Sequence, residues 1–383
     1  MQLTAPSARI DDPGAHFMGS RKGAAGCRPG AARHGQSKVA RGVPSVAGWH
    51  GLPDVARAER WNAGARVVLW RLAVCAMVLV GSACTTRSAP VAFPDRFDAN
   101  STGSIAVVGD MQPSSWIEFF RERNDRERSL VARHIAEGRP ALLVLIGDLV
   151  WAGSSDSQWT EFDQVMAPVH ARSIPATATP GNHDYLCGGR ENLANLYARF
   201  PLMRARTYGS TRLGPLGFVL LDSNRSDMGE PGWREQERWL WSELRRLDGD
   251  GQVRGVIVLQ HHSPYTNSMQ TGEDTNVQES FVPAFLAMNK TLVMISGHVH
   301  TYERFAIRGK HFLVSGGGGG PRVRLHLTGR EVRHKDLSGG ASVRPFNVVW
   351  MKPGADRVEI VVMGLDKGQD TFRPIDRLIA VYR

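Results

Sequence analysis

An α/β fold is predicted for residues 104–383 of this 383-residue chain from three features. Short β-rich apolar runs alternate with charged, helix-like stretches, several of those runs end in polar residues, and the last strands follow one another without a helix. "SIAVVGD" (Ser104 to Asp110) and "ALLVLIGD" (Ala141 to Asp148) are apolar runs closed by Gly-Asp. The charged stretch between them, "FFRERNDRERSLVARHIAEG", aligns Phe120, Leu130, Val131 and Ile135 on one helical face. This is a β-α-β unit with carboxylates at the strand ends, where open α/β sheets place their ligands. "FVLLDSN", "GVIVLQHH" and "LVMISGH" repeat the pattern, and "WREQERWLWSELRRL" predicts a helix with Trp233, Trp239, Leu240 and Leu244 as its buried edge. "HFLVSGG", "FNVVWM" and "RVEIVVMG" predict a second sheet closing in antiparallel fashion. No internal repeat or linker divides residues 100–383.

Composition places the chemistry in this region. A hydrophobic content of 42% is enough to bury a core. Of the net charge of +10, +8 belongs to residues 1–90 and +2 to residues 91–383. No downstream stripe interleaves basic and aromatic residues, so nucleic acid is not an expected partner. Residues 1–65, rich in Gly, Ala, Arg and Pro, carry no apolar period and are expected to be disordered or untranslated, with translation starting near Val67. Residues 66–84 have the form of a signal peptide. Arginines precede the apolar run Leu72 to Val80, which is too short to span a bilayer, and small residues lead into Cys84. That pattern resembles a bacterial lipoprotein signal with Cys84 lipidated, although Gly81 stands where Leu is usual. The other reading is a buried segment of the mature domain. The expected location is therefore exported, as a periplasmic or cell-envelope lipoprotein or a secreted protein, touching a membrane only through Cys84. Residues 85–103 are expected as a linker before the domain of residues 104–383. Cys187 alone would remain in the mature protein, so no internal disulfide is expected.

Five strand ends carry metal-type side chains: Asp110, Asp148, "GNHD" at Gly181 to Asp184, "HHSP" at His261 to Pro264, and "GHVH" at Gly297 to His300. Any one of them could be a turn or a buried histidine with its bonds satisfied. His298 and His300, two apart on an extended segment, fall on the same side. Mixed imidazole, carboxylate and amide donors at strand ends suit divalent Mn, Fe or Zn better than Mg or Ca.

The five motifs together resemble the calcineurin-like metallophosphoesterases over roughly residues 104–318. "GHVHTYER", "HSPYTNS", "GDLV" and the absence of an Asp-x-His first motif make the purple acid phosphatase branch the most similar. The resemblance implies a four-layer α/β/β/α sandwich of two mixed sheets flanked by helices. It implies Asp148 as the bridging carboxylate, Asp110 and His300 on one metal, and Asn182, His262 and His298 on the other. His183 would bind no metal and would sit over the phosphate, stabilising the transition state or protonating the leaving oxygen. The activity implied is that of a phosphomonoesterase with a metal-bound hydroxide nucleophile and a small phosphorylated substrate. A phosphodiesterase of the same fold and a non-catalytic lipid-anchored binding module are the alternatives.

The chain departs from this family at two positions. Trp151 stands where purple acid phosphatases have an iron-binding tyrosine, and Gln112 stands where other members have a histidine. One metal is therefore a ligand short, and water or the Gln112 amide oxygen is expected to complete it, with Gln112 otherwise supporting a ligand. A labile divalent ion is expected in place of ferric iron. His261 should point away from the site by alternation. Tyr302 and Arg304 could line the pocket or merely pack. "SGGGGGP" at Ser315 to Pro321 lacks the Lys-Ser/Thr of a P-loop and is expected as a flexible rim.

Overall fold

The computed structural model describes residues 89–115, 118–189 and 193–383. The leader, the signal-like run and Cys84, with the expectations attached to them, lie outside the described residues. Among the described residues, twelve strands form two six-stranded sheets. The strands are β1 (Ile105–Val108), β2 (Leu142–Ile146), β3 (Ala176–Thr179), β4 (Gly209–Leu213), β5 (Leu216–Leu220), β6 (Gly255–Gln260), β7 (Thr291–Ser296), β8 (Tyr302–Ile307), β9 (Lys310–Ser315), β10 (Phe346–Pro353), β11 (Arg357–Leu365) and β12 (Arg373–Val381). The helices used below are α1 (Asp125–Gly138), α2 (Asp156–His170), α3 (Ala194–Arg199), α4 (Arg225–Gly249), α5 (Thr275–Ser280) and α6 (Val282–Ala287).

The first sheet has the order β12-β11-β10-β1-β2-β3 and the second β4-β5-β6-β7-β9-β8. β1, β2 and β3 are parallel, as are β5, β6, β7 and β9. Both faces of these strands are covered, which is why they read as unbroken apolar runs. Ile105, Val107, Val144 and Ile146 meet Phe218, Ile257 and Ile295 in the core between the sheets. Ala106, Val108, Leu143 and Leu145 turn instead toward α1 and α2. Val219, Val256, Val258 and Met294 turn toward α4 and α6. The layers are therefore helix, sheet, sheet, helix, as expected.

Three local expectations change. The last strands do not close the second sheet: β10 pairs antiparallel with β1, and β11 and β12 extend the first sheet outward. Alternation identifies a strand's buried face without naming its partner. α1 starts at Asp125, after Phe120, and both Phe119 and Phe120 are exposed. Asp125 and Glu127 occupy its first turn, favourable for the positive N-terminal end of the dipole. Within the expected linker, Phe93 is buried, whereas Asp95, Arg96 and Asp98 to Asn100 are exposed. The Phe93 ring stacks on Phe200 at 5.1 Å, and its backbone N donates to the Arg199 carbonyl at 3.0 Å.

α4 buries Met228, Trp233, Gln236, Leu240, Leu244 and Leu247, a helical row, while Trp239 flanks it against Tyr208. Gly229 breaks this helix with φ of 73°, a conformation that costs glycine little.

Candidate metal centre

The parallel strands deliver their C-terminal ends to one edge of the sandwich, and the candidate residues follow directly. Asp110 lies two residues past β1, Asp148 two past β2, Asn182 three past β3, His261 immediately past β6 and His298 two past β7. Asp110, Asp148 and His298 adopt left-handed φ values of 60°, 52° and 66°. Three non-glycine residues in this region at one site amount to strain of the kind that clusters where function requires a fixed geometry.

Backbone bonds hold these turns. Asp110 N donates to the Gly147 carbonyl and Gln112 N to the Asp148 carbonyl, each at 3.0 Å. His298 N donates to the Asp110 carboxylate at 3.0 Å, joining the two sheets across the site. Asp184, which the motifs did not single out, accepts from the backbone N of Asp148, Leu149 and Gly181 at 3.0, 3.1 and 2.8 Å. It is the buried post to which the Asp148 and Asn182 turns are tied. Burial and the Asp148 charge push its pKa upward.

Among the described residues, two clusters bring their ligand atoms within 4.8 Å of one another: Asp148, His261 and His298, and Asp110, Asp148 and His300. Asp148 alone belongs to both. Its Oδ1 accepts from His183 N at 2.8 Å, and its Oδ2 lies 3.2 Å from His261 Nε2. Burial opposes the Asp148 charge, but His261 and His183 hold its carboxyl well below the usual carboxylate range.

His261 is in the cluster, contrary to expectation. Its Nδ1 faces the Ile146 carbonyl at 2.9 Å, which fixes Nδ1–H as a donor and aims Nε2 at Asp148 and at Asn182 Oδ1, both at 3.2 Å. His262, expected as the ligand, belongs to neither cluster. Its ring stands 4.4 Å from that of His298, and its Nδ1 is 2.8 Å from Ser223 Oγ. Burial and the neighbouring His261 hold His262 down to about 3, and burial, His262 and His261 hold His298 well below its ordinary value. Neutral imidazole is the form that ligates metal, so His298 is ready to bind. Burial lowers His261 and His300, but Asp148 pushes His261 up to about 10 and Asp110 raises His300, so a cation there would displace their protons.

His300 donates from Nδ1 to the Pro321 carbonyl at 2.9 Å, leaving Nε2 near Asp110 Oδ1 at 3.4 Å and the Gln112 side-chain amide at 3.1 Å. That amide also lies 3.4 Å from Asp148 Oδ2, while Gln112 Oε1 is buried with no hydrogen-bond partner. An amide flip would put the oxygen among the ligand atoms of Asp110, Asp148 and His300. Asp110, Asp148 and His300 bring two carboxylates and an imidazole to one point, a donor set that fits a metal. Trp151 has no ligand atom and packs against His183 at 5.8 Å between ring centres. Its carbonyl takes His183 Nδ1–H at 2.6 Å, leaving Nε2 of the half-buried ring as the atom available to a substrate.

Ser315 to Pro321 is buried, not a flexible rim. Gly318 N donates to the Gly109 carbonyl and Gly320 N to the Asp110 carbonyl, each at 2.9 Å. An added Cβ at Gly316 would stand 2.3 Å from the Val299 carbonyl and 2.7 Å from Asp110 Oδ2, so only glycine fits between them. Tyr302 and Arg304 turn away from the site and bind Asp376 at 2.8 and 2.6 Å.

Residues 103–302 match the model of the calcineurin-like phosphoesterase family. A probable purple acid phosphatase 20 of Arabidopsis thaliana is 27% identical over 57% of this chain and 48% of its own length. Purple acid phosphatase 22 of the same plant is 25% identical over 57% of this chain and 47% of its own. The chain thus spans about half the length of the curated relatives it matches. A purple acid phosphatase from yellow lupin (Lupinus luteus) seeds superposes with a TM-score of 0.55 at 18% identity, over 75% of this chain and 54% of that one. A dimetal phosphatase from Danio rerio superposes at 0.50 with 14% identity, over 74% and 99%. At such identities the superpositions establish the fold, and the family match establishes descent: the chain belongs to the calcineurin-like phosphoesterase family.

Proposed function

We propose that this protein hydrolyses phosphate monoesters at a pair of divalent metal ions held around Asp148. The observation that carries the reading is that Asp148 alone is shared by the two ligand clusters. Asp110 and His300, with Gln112 beside them, would hold one ion, and Asn182, His261 and His298 the other. Mn, Fe or Zn suits these donors. When bound, such ions supply an activated water and neutralise charge on the phosphoryl oxygens.

The chain's own residues do the remaining work. Asp184 and the backbone bonds fix the ligand turns before substrate arrives, so little reorganisation is needed. His183 is oriented by the Trp151 carbonyl, and its Nε2 can give a proton to the leaving oxygen or hold it by a hydrogen bond. Trp151 offers no phenolate, so the purified protein should be colourless. The proposed substrate is a small phosphorylated molecule rather than nucleic acid. Export, with Cys84 as a lipid anchor, is part of the proposal; among the described residues no helix is long and apolar enough to cross a membrane.

His183→Asn tests the assignment. Metal content should stay near wild type while kcat falls roughly 10²–10⁴-fold on alkyl phosphates and much less on nitrophenyl phosphate, whose leaving group departs unaided. Equal losses on both substrates, or an emptied metal site, would remove the acid role.

A further inference from the structure

His262 stands at the metal centre without belonging to either ligand cluster. Its ring centre lies 4.4 Å from that of His298 and 5.1 Å from that of His261, two residues assigned to the same ion. The planes of His261 and His262 are 84° apart, so adjacent imidazoles serve different directions. His261 sends Nε2 to Asp148, whereas His262 is partly exposed and lines a cavity of about 490 Å³ that it shares with Asn182. Among the described residues, the hydrogen bonding of the His262 ring is confined to Nδ1, which leaves Nε2 free for a molecule in that cavity.

Ser223, three residues past β5, sets which nitrogen carries the hydrogen. Its Oγ accepts from the His262 backbone N at 2.9 Å and lies 2.8 Å from His262 Nδ1. A hydroxyl has one proton to give, and Nδ1 is its one acceptor among the described residues. With the proton on Nδ1 instead, Oγ would accept twice, and its own proton would have no protein acceptor in a side chain that is buried. Nδ1 therefore accepts and Nε2 carries the hydrogen. Neither nitrogen then has a lone pair to give a cation, in agreement with the place of His262 outside both clusters. A protonated ring would also present Nε2–H, so the donor role does not depend on the charge of the ring.

We propose that His262 is a further catalytic residue whose Nε2–H donates a hydrogen bond to an oxygen of the phosphoryl group, with Ser223 as the positioning residue that keeps it a donor. The inference rests on the phosphoesterase reading of the adjacent centre. A fixed donor on a phosphoryl oxygen stabilises the charge that develops there during transfer, and loss of one such donor costs roughly 10²–10³-fold in kcat. The role differs from that of His183, which serves the leaving oxygen, and the difference can be measured.

The first test needs neither metal nor turnover. A long-range ¹H–¹⁵N spectrum of the metal-free full chain should show His262 with hydrogen on Nε2 and none on Nδ1, the signals being identified by their absence in His262→Gln. Ser223→Ala should mix the two forms and lower kcat/KM about 2- to 10-fold, the worth of one hydrogen bond. In the Zn²⁺-loaded protein, His262→Leu should still take up two ions per chain while binding inorganic phosphate about 10- to 100-fold more weakly, as expected for a lost bond to a charged group. Its loss of kcat should be the same for alkyl and nitrophenyl phosphates. His262→Gln, which carries an amide N–H near the place of Nε2, should recover part of the phosphate affinity. Hydrogen on Nδ1 in the wild type, loss of an ion in His262→Leu, unchanged phosphate affinity, or a loss that follows the leaving group would each overturn the proposal. A wild type that turns over no ester would sink the phosphoesterase reading, and the position of the hydrogen and the phosphate affinities would then decide the donor role by themselves.

Discussion

Replacing Gly181 with alanine isolates how tightly the shared carboxylate is held. Gly181 lies outside the left-handed region, so alanine meets no backbone objection, and the effect comes from the added carbon alone. That carbon would stand 2.2 Å from Asp148 Oδ1 and 2.4 Å from the Asp148 backbone N. Non-bonded heavy atoms settle near roughly 3.5 Å, so the carboxylate or its turn must retreat by about 1 Å. Metal–ligand bonds tolerate about ±0.2 Å, so a retreat of that size breaks the bond. Overpacking costs about 1–3 kcal/mol. Drawn wholly from metal affinity, this is a loss of about 5- to 150-fold. Gly297→Ala makes the matching collision with Asp110 Oδ2 at 2.4 Å and should weaken one ion, whereas an added carbon at Gly251 meets nothing within 4 Å and serves as control. Competition with a chromophoric chelator reads the affinities, and thermal unfolding of the metal-free proteins shows whether each variant still folds. A folded Gly181→Ala protein with wild-type affinity would refute the claim that Asp148 Oδ1 is held in place by contact.

Two predictions concern the scaffold. Asp163 and Arg199 form a buried two-pronged ion pair at 2.7 and 2.6 Å. Asp163→Ala strands the guanidinium and should cost about 3–5 kcal/mol in urea unfolding. A loss under about 1 kcal/mol would mean that the charge finds another partner. Glu122 accepts from Arg322 Nε and backbone N at 2.8 and 2.9 Å. Burial raises its pKa, and the bonds from Arg322 outweigh this and bring it down to about 2 from an ordinary 4.5. A depressed carboxylate stabilises the fold above pH 4.5 and loses that contribution as pH falls toward 2. After allowance for solvent screening, Glu122→Gln should cost about 1 kcal/mol at pH 7 and nothing at pH 2. A cost that stays constant down to pH 2 would contradict the assignment.

Much of the site is legible in the sequence because parallel strands bring their ends to one edge. Asp110, Asp148, His298 and His300 each follow an apolar run, Asn182 and His183 follow the short strand β3, and the fold brings these strand ends to one edge. The choice between His261 and His262 was not legible by alternation. β6 ends at Gln260, so His261 is the first residue outside the strand, where a two-residue period no longer assigns faces. Asp184 was passed over because its role is to accept three backbone N–H groups, and motif spacing does not mark that. The run of glycines from Gly316 to Gly320 suggested mobility, yet here glycine is what fits between Asp110, His300 and the neighbouring backbone. Partner choice for β10, β11 and β12 was equally hidden, since the same alternating pattern would serve either sheet.

Metal stoichiometry bears most directly on the shared-carboxylate centre. Chelated protein titrated with Mn²⁺ or Zn²⁺ in a calorimeter should take up two ions per chain. His300→Ala and His261→Ala should each keep one, and Asp148→Asn, with one carbonyl oxygen and no charge to offer two cations, should lose both. A wild-type protein that saturates with a single ion, or an Asp148→Asn protein that still binds two, would contradict the account.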